Sequence, residues 1–386
     1  MYEIKTYNKI AKIGLSLFGD GYEISDGAEN PVGALVRSAN LHDEVFPDSL
    51  VAIARAGAGT NNIPTDSLTE RGVAVFNTPS ANANAVKELV ILGLLLSSRK
   101  VVDGIEWARG LKGQGAEVPK LVEAGKSAFV GPELRGKTLG VVGLGAIGVL
   151  VANAAHHLGM NVLGYDPFLS LQNAWNLSHH IKRATDIAEI YKSCDYLTLH
   201  LPLNKDTKGM INRDALGMMK KGVRILNFSR DGLVNSEDML AALAEGRIAR
   251  YVVDFPTDEM LGVDGVIAIP HLGASTPESE DNCAVMAVKE LADYIENGNI
   301  TNSVNLPAAS MARSGERRIC VIHRNVPNML SAITAAVAEG GANIENLINK
   351  SRDNYAYTML DVNGCDTCAA EKRLAATEGV IRVRII

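Results

Sequence analysis

One short stretch, residues 139–148, restricts the fold of this chain more than any other. It is an apolar run followed by three glycines, Gly143, Gly145 and Gly148, in the spacing G-x-G-x-x-G. In a strand–turn–helix unit, the first glycine permits the tight turn and the second lets a pyrophosphate approach the backbone. The third lets the helix pack against the strand. A helical pattern and a second apolar run follow. The sequence therefore predicts a dinucleotide-binding βαβ unit.

The second apolar run ends at Asp166, at the separation expected of the acid that binds a ribose 2′-hydroxyl. Its charge would repel the 2′-phosphate of NADP, so the pattern favours NAD as the cofactor. The alternative is a glycine-rich turn without a ligand in a doubly wound fold.

Short Val, Ile and Leu runs alternate with helical patterns from residue 33 to about residue 273. Such runs are typical of parallel strands that are covered on both faces. The chain is therefore predicted to be α/β with a doubly wound parallel sheet. One predicted helix spans 80–100 and ends in basic residues. Another starts at Ser275 and Pro277 and ends at Gly298.

The last part of the chain has a different pattern. Residues 300–314 are polar and poor in helix formers, and they are interpreted as a linker. The pattern over 316–386 predicts the order βαββαβ, which is that of a small ferredoxin-like module.

Composition excludes several classes of protein. The formal net charge of −6 argues against nucleic acid as a partner. No apolar run is long enough to cross a membrane, and charges interrupt the start of the chain where a signal peptide would be apolar. The five cysteines suggest a reducing cytoplasm. Cys365 and Cys368 form a CxxC pair, but without a second pair we expect no metal site.

Three polar residues stand at the ends of predicted strands, where ligands bind in open α/β sheets: Arg230, Glu259 and His271. An arginine can hold a carboxylate, and a histidine can take a hydroxyl proton as a hydride leaves. A carboxylate behind the histidine would fix its tautomer and raise its pKa. The alternatives are that Arg230 forms a surface ion pair, that Glu259 is a solvated loop acid and that His271 is a capped turn histidine. His200 lies in a strand and is expected to be structural, beside the nucleotide.

The motifs "GLGAIG", "YDP", "LHLPL", the R-x-G-x-V run from Arg230 and "PHLGAST" closely resemble those of the D-isomer-specific 2-hydroxyacid dehydrogenases over 33–305. The resemblance implies that Arg230 binds substrate, that His271 is the acid/base and that Glu259 is its partner. Two residues depart from the family, Ser229 and Asp231. The compressed run "DFPTDE" leaves Asp258 as an alternative to Glu259.

The resemblance also implies the domain boundaries. A flavodoxin-like substrate domain would comprise 1–92 and 273–305, with a Rossmann-type NAD domain, 93–272, inserted in it. A linker, 306–315, and a regulatory domain, 316–386, would follow. The cofactor contacts it implies are Gly143, Gly145, Ala146, Ile147, Gly148, Asp166, His200, Pro202, Ser229, Asp254 and Gly273.

Two further segments, "VRSANLHD" and "ARAGAGTNNIP", resemble the substrate-binding segments of phosphoglycerate dehydrogenases, a branch of this family. Arg37 and Arg55 would then meet a substrate phosphate, which arginine matches with its fork of donors. Asn82 and the backbone at Gly57 would complete the substrate site. The alternative is that both arginines balance nearby acids. The segment before Arg37 is short for the family, so its first strand and helix should be abbreviated.

Residues 316–386 resemble an ACT domain, a module that binds amino acids. The resemblance places His323, Asn325 and Asn343 at the effector positions, with L-serine as the expected effector. Asn328 replaces a glycine and should adopt its left-handed backbone. The alternative is a module that only dimerises. ACT domains usually pair edge to edge, so a homodimer or homotetramer is expected.

Together these resemblances imply an NAD-dependent, cytoplasmic enzyme that oxidises D-3-phosphoglycerate to 3-phosphohydroxypyruvate, the first step of L-serine biosynthesis. One rival is another dehydrogenase of the family, such as a glyoxylate or hydroxypyruvate reductase. The other is a non-enzymatic protein that senses NADH.

Overall fold

The computed structural model describes residues 1–364 and 367–386, which form two compact units. The first unit comprises Met1–Asn82 and Thr276–Ile386, and the second comprises Ala83–Ser275. The motif of Cys365 and Cys368 lies outside the residues whose side chains are described. Within the described ranges, no helix is long and apolar enough to cross a membrane.

The first unit contains a five-stranded sheet in which every strand pair is parallel. Its spatial order is β2-β1-β3-β4-β5, which is the flavodoxin-like order that the sequence predicts for a substrate domain. The strands are β1 (Tyr2–Thr6), β2 (Tyr22–Ser25), β3 (Gly33–Val36), β4 (Ala52–Arg55) and β5 (Ala74–Phe76). The helices are α1 (Lys12–Leu15), α2 (Thr65–Glu70) and α11 (Pro277–Asn297). The first helix is a single turn, as the short N-terminal segment predicts.

Helix α11 buries its apolar side in the core of this unit. Ala287, Leu291 and Tyr294 are buried in the same cluster as Ile4 and Leu35 of the sheet. The Thr276 hydroxyl caps the start of the helix by accepting a hydrogen bond from the N–H of Ser279 at 3.1 Å. The predicted end is confirmed, because Gly298 has the left-handed φ of 71° that terminates helices.

The C-terminal part of the first unit has the predicted βαββαβ order. Its antiparallel sheet is ordered β14-β15-β13-β16. The elements are β13 (Arg317–Arg324), α12 (Met329–Ala338), β14 (Asn343–Arg352), β15 (Tyr355–Asn363), α13 (Thr367–Ala375) and β16 (Val380–Ile385). Asn328 precedes α12 with φ 68°, which confirms the predicted left-handed conformation.

The two faces of this C-terminal sheet are both covered. Ile319 and Leu360 face a cluster that includes Ile333 of α12 and Leu374 of α13. On the opposite face, Ile322, Tyr357 and Met359 belong to the same buried cluster as Leu291 and Ile295 of α11. Leu306 and Ala309, in the segment interpreted as a linker, are also buried. The C-terminal module therefore packs against α11 as part of one unit.

Arginines of the C-terminal sheet reach the end of α11. Arg384 donates to the carbonyls of Tyr294 and Ile295 at 3.1 and 2.8 Å, and Arg318 donates to that of Asn297 at 2.8 Å. These cations satisfy carbonyls that a helix end leaves unpaired. Arg318 also forms a two-bonded ion pair with Asp361, at 2.6 and 2.8 Å, and both side chains are fully buried. Burial raises the pKa of Asp361, but interactions with Arg318 and Ser314 outweigh that effect, so the pKa is lowered overall and the pair is charged.

The second unit contains a seven-stranded parallel sheet with helices on both faces. Its order is β12-β11-β10-β9-β6-β7-β8, which is a doubly wound Rossmann arrangement and confirms the prediction. The strands are β6 (Thr138–Val142), β7 (Asn161–Tyr165), β8 (Lys182–Arg183), β9 (Tyr196–Leu199), β10 (Val223–Asn227), β11 (Ile248–Val253) and β12 (Val266–Ala268). The helices are α3 (Ala83–Ser98), α4 (Val101–Arg109), α5 (Val118–Gly125), α6 (Ala146–His157), α7 (Leu171–Asn176), α8 (Ile187–Ser193), α9 (Arg213–Met218) and α10 (Ser236–Ala244).

The buried ion pair makes a first prediction. Asp361→Ala leaves the Arg318 guanidinium buried without its counter-charge, so we expect a loss of about 3–5 kcal/mol of stability. Urea unfolding followed by circular dichroism measures this loss. The matched control is Glu70→Ala, which breaks the exposed ion pair of Glu70 with Arg324 and should leave the unfolding midpoint nearly unchanged. Equal midpoints for the two variants would contradict this account.

Candidate active site

The residues predicted to bind ligands in the second unit follow one edge of its sheet. Gly143 follows β6, Asp166 follows β7, His200 follows β9 and Asp254 follows β11. His271 comes three residues after β12, and Arg230 comes three residues after β10. The carboxyl ends of parallel strands share one edge, which is where ligands bind in open α/β sheets.

The glycine loop has the geometry that a dinucleotide requires. Gly143 has φ 92°, a conformation that side chains disfavour. A Cβ on Gly143 would overlap the carbonyl of His200, and a Cβ on Gly148 would overlap the carbonyl of Gly143. A Cβ on Gly145 would meet no atom within 4 Å, so that position is open. The turn thus needs Gly143 and the helix packing needs Gly148, whereas Gly145 leaves room for a ligand.

The start of α6 supplies donors beside this open position. Gly145 is the N-cap of the helix, and Ala146 and Ile147 form its first turn. The N–H groups of a first helical turn have no partners within the helix, and they attract anions such as pyrophosphate.

Asp166 joins the glycine loop to the neighbouring strand. Its carboxylate accepts hydrogen bonds from the N–H groups of Leu144 and Phe168, both at 2.8 Å. It also lines a cavity of about 260 Å³, together with Lys182 and Arg183. These two cations were not predicted, because the two-residue strand β8 is too short for its pattern to be recognised.

Several buried polar atoms of the described residues lack hydrogen-bond partners, and Asp254 and His200 carry such atoms at this edge of the sheet. Asp254 is only 2% exposed, and neither of its carboxylate oxygens is hydrogen-bonded. Burial raises the pKa of Asp254 to about 6, although Arg230 opposes the shift. His200 bonds Thr198 through Nε2 at 3.0 Å, while its Nδ1 has no partner, and burial lowers its pKa to about 3. These orphaned atoms fit a site that a polar cofactor completes.

A network of hydrogen bonds positions the loop that carries Arg230. The Asn227 amide donates to the Arg230 carbonyl at 3.0 Å and accepts from the N–H of Ser229 at 3.2 Å. The Ser229 hydroxyl donates to the carbonyl of Leu199 at 2.6 Å, so the serine ties this loop to the end of strand β9. Asn227 is buried and was not predicted; a polar residue at the end of an apolar strand was its only signal.

His271 lies beside an aromatic ring and a cation. Its ring centroid is 4.4 Å from that of Phe255, at an angle of 46°. Burial lowers the pKa of His271, and the charge of Arg230 lowers it further. The imidazole is therefore neutral at pH 7 and can accept a proton.

The expected pairing of Glu259 with His271 is not formed in this structure. Glu259 is exposed on a single 3₁₀ turn, Asp258–Met260, whose buried residue is Met260. Interaction with the Thr257 side chain lowers the pKa of the Glu259 carboxyl. Among the described residues no hydrogen bond joins Glu259 or Asp258 to the imidazole. The expectation that a carboxylate raises the pKa of His271 therefore needs correction, because burial and Arg230 lower it.

Two other predicted cofactor residues, Pro202 and Gly273, lie close to other residues of the second unit. The carbonyl of Pro202 accepts a hydrogen bond from the Thr207 hydroxyl at 2.7 Å. A Cβ on Gly273 would lie 3.3 Å from Val86 and 3.9 Å from an oxygen of Asp254, which leaves little space beside that carboxylate.

In the first unit, the fold brings Arg37 and Arg55 together. Arg37 follows β3 and Arg55 ends the adjacent β4, where Val36 pairs with Arg55. Arg55 donates through Nε to the Arg37 carbonyl at 2.9 Å, and it also bonds the carbonyl of Gly59. The Arg37 guanidinium pairs with Glu280 of α11 at 2.7 Å, which fits the alternative that Arg37 balances an acid, although Glu280 was not identified as that acid.

The other predicted substrate residues lie near this loop in sequence. The N–H of Gly57 already donates to the Arg55 carbonyl at 2.9 Å, and a Cβ on Gly57 would lie 2.7 Å from a guanidinium nitrogen of Arg55. Asn82 is half-buried at the end of the first segment of this unit.

The three predicted effector residues are all hydrogen-bonded within the C-terminal module. His323 is buried and bonds the Arg324 carbonyl at 2.8 Å and the Thr358 hydroxyl at 2.9 Å. The side-chain amide of Asn325 donates to the carbonyl of Asp353 at 3.0 Å. That of Asn343 donates to the carboxylate of Glu345 at 2.6 Å.

Comparison with known proteins agrees with this geometry. Residues 95–273 match the model of the D-isomer specific 2-hydroxyacid dehydrogenase NAD-binding domain. The D-3-phosphoglycerate dehydrogenase of Escherichia coli K12 is 33% identical over 355 residues, which are 88% of this chain and 82% of that protein. The chain belongs to the D-isomer-specific 2-hydroxyacid dehydrogenase family. It is therefore an NAD-dependent oxidoreductase, and the glycine loop and the orphaned Asp254 carboxylate fit that cofactor.

Two other family members extend the comparison. The D-3-phosphoglycerate dehydrogenase of Bacillus subtilis is 36% identical over 284 residues, which are 71% of this chain and 51% of that protein. The NAD⁺-bound crystal structure of 3-phosphoglycerate dehydrogenase from Entamoeba histolytica superposes with a TM-score of 0.61 and 25% identity. The match covers 79% of this chain and 98% of that one.

The glycine loop makes the second prediction. In Gly145→Ala the new Cβ meets open space in the protein but occupies the approach of the pyrophosphate. Its melting temperature should stay unchanged while the Kd for NADH rises at least about tenfold, a loss of about 1.4 kcal/mol. In Gly148→Ala the Cβ overlaps a carbonyl, so both the melting temperature and NADH binding should decline. Scanning calorimetry and NADH fluorescence titration test this difference, and it is contradicted if Gly145→Ala binds NADH like the wild type.

Proposed function

We propose that the chain oxidises D-3-phosphoglycerate to 3-phosphohydroxypyruvate with NAD, the first step of L-serine biosynthesis. The proposal rests on one observation. Arg37 and Arg55 lie at the ends of two adjacent strands, where the Arg55 side chain donates to the Arg37 carbonyl. Arginines at adjacent strand ends could both reach a substrate with a doubly charged phosphate, which the guanidinium fork of donors matches. The named relatives from Escherichia coli and Bacillus subtilis support the same substrate.

Cofactor binding is assigned from the second unit. The N–H groups of Ala146 and Ile147 would bind the pyrophosphate, and Asp166 would accept from the ribose hydroxyls. Asp254 would accept from the carboxamide of the nicotinamide, which would satisfy its buried oxygens. His200, Pro202, Ser229 and Gly273 would shape the walls of this site.

NAD held by these residues would supply the acceptor for the hydride that leaves the carbon bearing the substrate hydroxyl. His271 would accept the hydroxyl proton at one ring nitrogen, because its lowered pKa keeps the ring neutral at pH 7. Arg230 would bind the substrate carboxylate and the oxygen that becomes a carbonyl. Glu259 would move to the imidazolium as it forms, since catalytic hydrogen bonds are often loose before substrate binds.

The third prediction concerns the pH dependence of His271. A lowered pKa means that the basic form persists to lower pH. We therefore expect kcat/KM for oxidation to be constant at neutral pH and to fall only below about pH 6.5, the pKa of an ordinary histidine. In Arg230→Met the pKa of His271, measured by NMR titration, should rise because a nearby positive charge is removed. A pKa that is unchanged or lower in this variant would contradict the assigned contact.

The fourth prediction separates Glu259 from Asp258. Glu259→Gln should lower kcat/KM by about 100-fold, because the imidazolium that forms loses its counter-charge. Asp258→Asn is the matched control and should change kcat/KM little. Steady-state kinetics at pH 8 with saturating NAD measure both variants. The reverse order of effects would transfer the role to Asp258.

The fifth prediction tests phosphate binding. Arg37→Met should raise KM for D-3-phosphoglycerate by about 10- to 100-fold, because the substrate phosphate loses one charge-assisted hydrogen bond. KM for the unphosphorylated D-glycerate should change little. Arg71→Met, which removes another arginine of the first unit, is the control. Equal increases in KM for the two substrates would show that Arg37 supports the fold of the loop rather than the phosphate.

We also propose that residues 316–386 are an ACT domain that binds L-serine near His323, Asn325 and Asn343, and that the protein is a cytoplasmic homodimer or homotetramer. Supporting this are the βαββαβ order and the left-handed Asn328. Because these side chains are bonded internally, effector binding would exchange some of the bonds that they now form. We propose that Asn82 and the backbone at Gly57 also contact the substrate.

The proposed function is tested by the initial rate of NAD reduction with D-3-phosphoglycerate across an L-serine titration. Turnover that serine suppresses is the expected result. Turnover that ignores serine would retain the enzyme and reject the effector site. Reduction of glyoxylate or hydroxypyruvate without any oxidation of phosphoglycerate would favour the rival dehydrogenase instead.

A further inference from the structure

Four of the eight histidines of the chain gather in one cluster on the second unit. His156 and His157 end helix α6, and His179 and His180 follow helix α7. The ring centroids of His156 and His180 are 4.9 Å apart and stacked at 23°. Those of His179 and His180 are 3.9 Å apart, and those of His156 and His157 are 5.9 Å apart. None of these residues belongs to the cofactor or substrate sites assigned above.

Hydrogen bonds of the Asn153 side chain hold the two segments that carry the histidine pairs beside each other. The Asn153 side chain of α6 donates to the carbonyl of Asn176 at 2.9 Å and accepts from the N–H of Ser178 at 2.9 Å. The proximity of the two histidine pairs is therefore set by the fold. The sequence alone assigns these histidines to the surface or to packing, because the two pairs are separated by more than 20 residues.

The cluster is accessible to solvent. His157, His179 and His180 are exposed and His156 is half-buried. The charge of His179 lowers the pKa of His180, with smaller effects of burial and of His156. Imidazole binds a metal ion through an unprotonated nitrogen, and exposed rings can present that nitrogen to an ion from solution.

We propose that His156, His157, His179 and His180 form a binding site for a late first-row transition metal dication, of the class Cu²⁺, Ni²⁺ and Zn²⁺. Imidazole is a preferred ligand of all three ions. One ring pair is stacked and two are tilted in this structure, and within the described residues no group of three His, Cys, Asp or Glu side chains already has the arrangement of a metal site. Binding therefore requires the exposed rings to rotate until their nitrogens converge to about 2.0–2.1 Å from the ion. Such rotations of exposed side chains are fast.

A bound ion would link the end of α6 to the segment that leads into the cofactor cavity. Ile181, Lys182 and Arg183 follow His180 directly and line the cavity beside Asp166. The site would thus restrain one wall of that cavity without contacting a ligand in it.

The chain contains its own reporter for this site. Trp175 is 79% exposed in α7 and lies four residues before His179. Trp107→Phe removes the only other tryptophan, so the fluorescence then comes from Trp175 alone. Cu²⁺ quenches nearby tryptophan fluorescence, whereas Zn²⁺ does not. The experiment is a CuCl₂ titration of the full, untagged Trp107→Phe protein at pH 7.5, followed by competition with ZnCl₂.

The expected result is saturable quenching with a Kd well below about 1 mM, and recovery of fluorescence as Zn²⁺ displaces Cu²⁺. His156→Asn with His180→Asn should raise that Kd by about tenfold or more, because the chelate loses two ligands. His42→Asn removes an exposed histidine of the first unit and is the matched control. Binding should also weaken as the pH is lowered, because protons compete with the metal ion for the imidazole nitrogens.

The proposal is overturned if the double variant titrates like its parent, or if quenching does not saturate below about 1 mM. Circular dichroism of each variant shows whether it is folded. If the double variant is not folded, the single variants His157→Asn and His179→Asn replace it, and each must weaken Cu²⁺ binding for the proposal to stand. The titration needs no turnover, so its outcome is independent of the proposed enzymatic function.

Discussion

The close approach of three backbone segments around Gly143 is the constraint on which the cofactor site depends. The carbonyl of His200 lies where a side chain of Gly143 would be, and the carbonyl of Gly143 lies where that of Gly148 would be. Strand β6, helix α6 and strand β9 can meet at this distance only without side chains. The first turn of α6 and the bond from Leu144 to Asp166 are fixed as a consequence. Any larger residue would separate the elements that supply the donors and the acid.

Helix α11 has a comparable role in the first unit. Near its N-terminus, Glu280 pairs with Arg37, and at its C-terminus its carbonyls are bonded by Arg318 and Arg384. The same helix therefore contacts a proposed substrate residue and the C-terminal module. The face of the C-terminal sheet that its own helices do not cover is buried against α11. The module is therefore a structural part of the unit.

Sequence patterns predicted the elements better than the contacts between side chains. Apolar runs, glycine spacing and the stop at Gly298 are local signals, and the parallel sheets, the glycine loop and the left-handed Asn328 followed from them. The ion pair of Arg37 with Glu280 joins residues 243 positions apart, and periodicity carries no information about such pairs. The direction of Glu259 depends on one 3₁₀ turn, which spacing alone could not place. The histidine cluster was missed for the same reason.

The central claim is that this chain moves a hydride from a hydroxyl-bearing carbon to NAD while His271 accepts the proton. The most direct measurement is a single turnover of D-3-phosphoglycerate deuterated at carbon 2, with the nicotinamide product analysed by mass spectrometry. The account predicts deuterium on the reduced nicotinamide and slower formation of NADH than with unlabelled substrate. Tight binding of NADH without any transfer of deuterium would contradict it, and it would support a protein that senses the cofactor without chemistry.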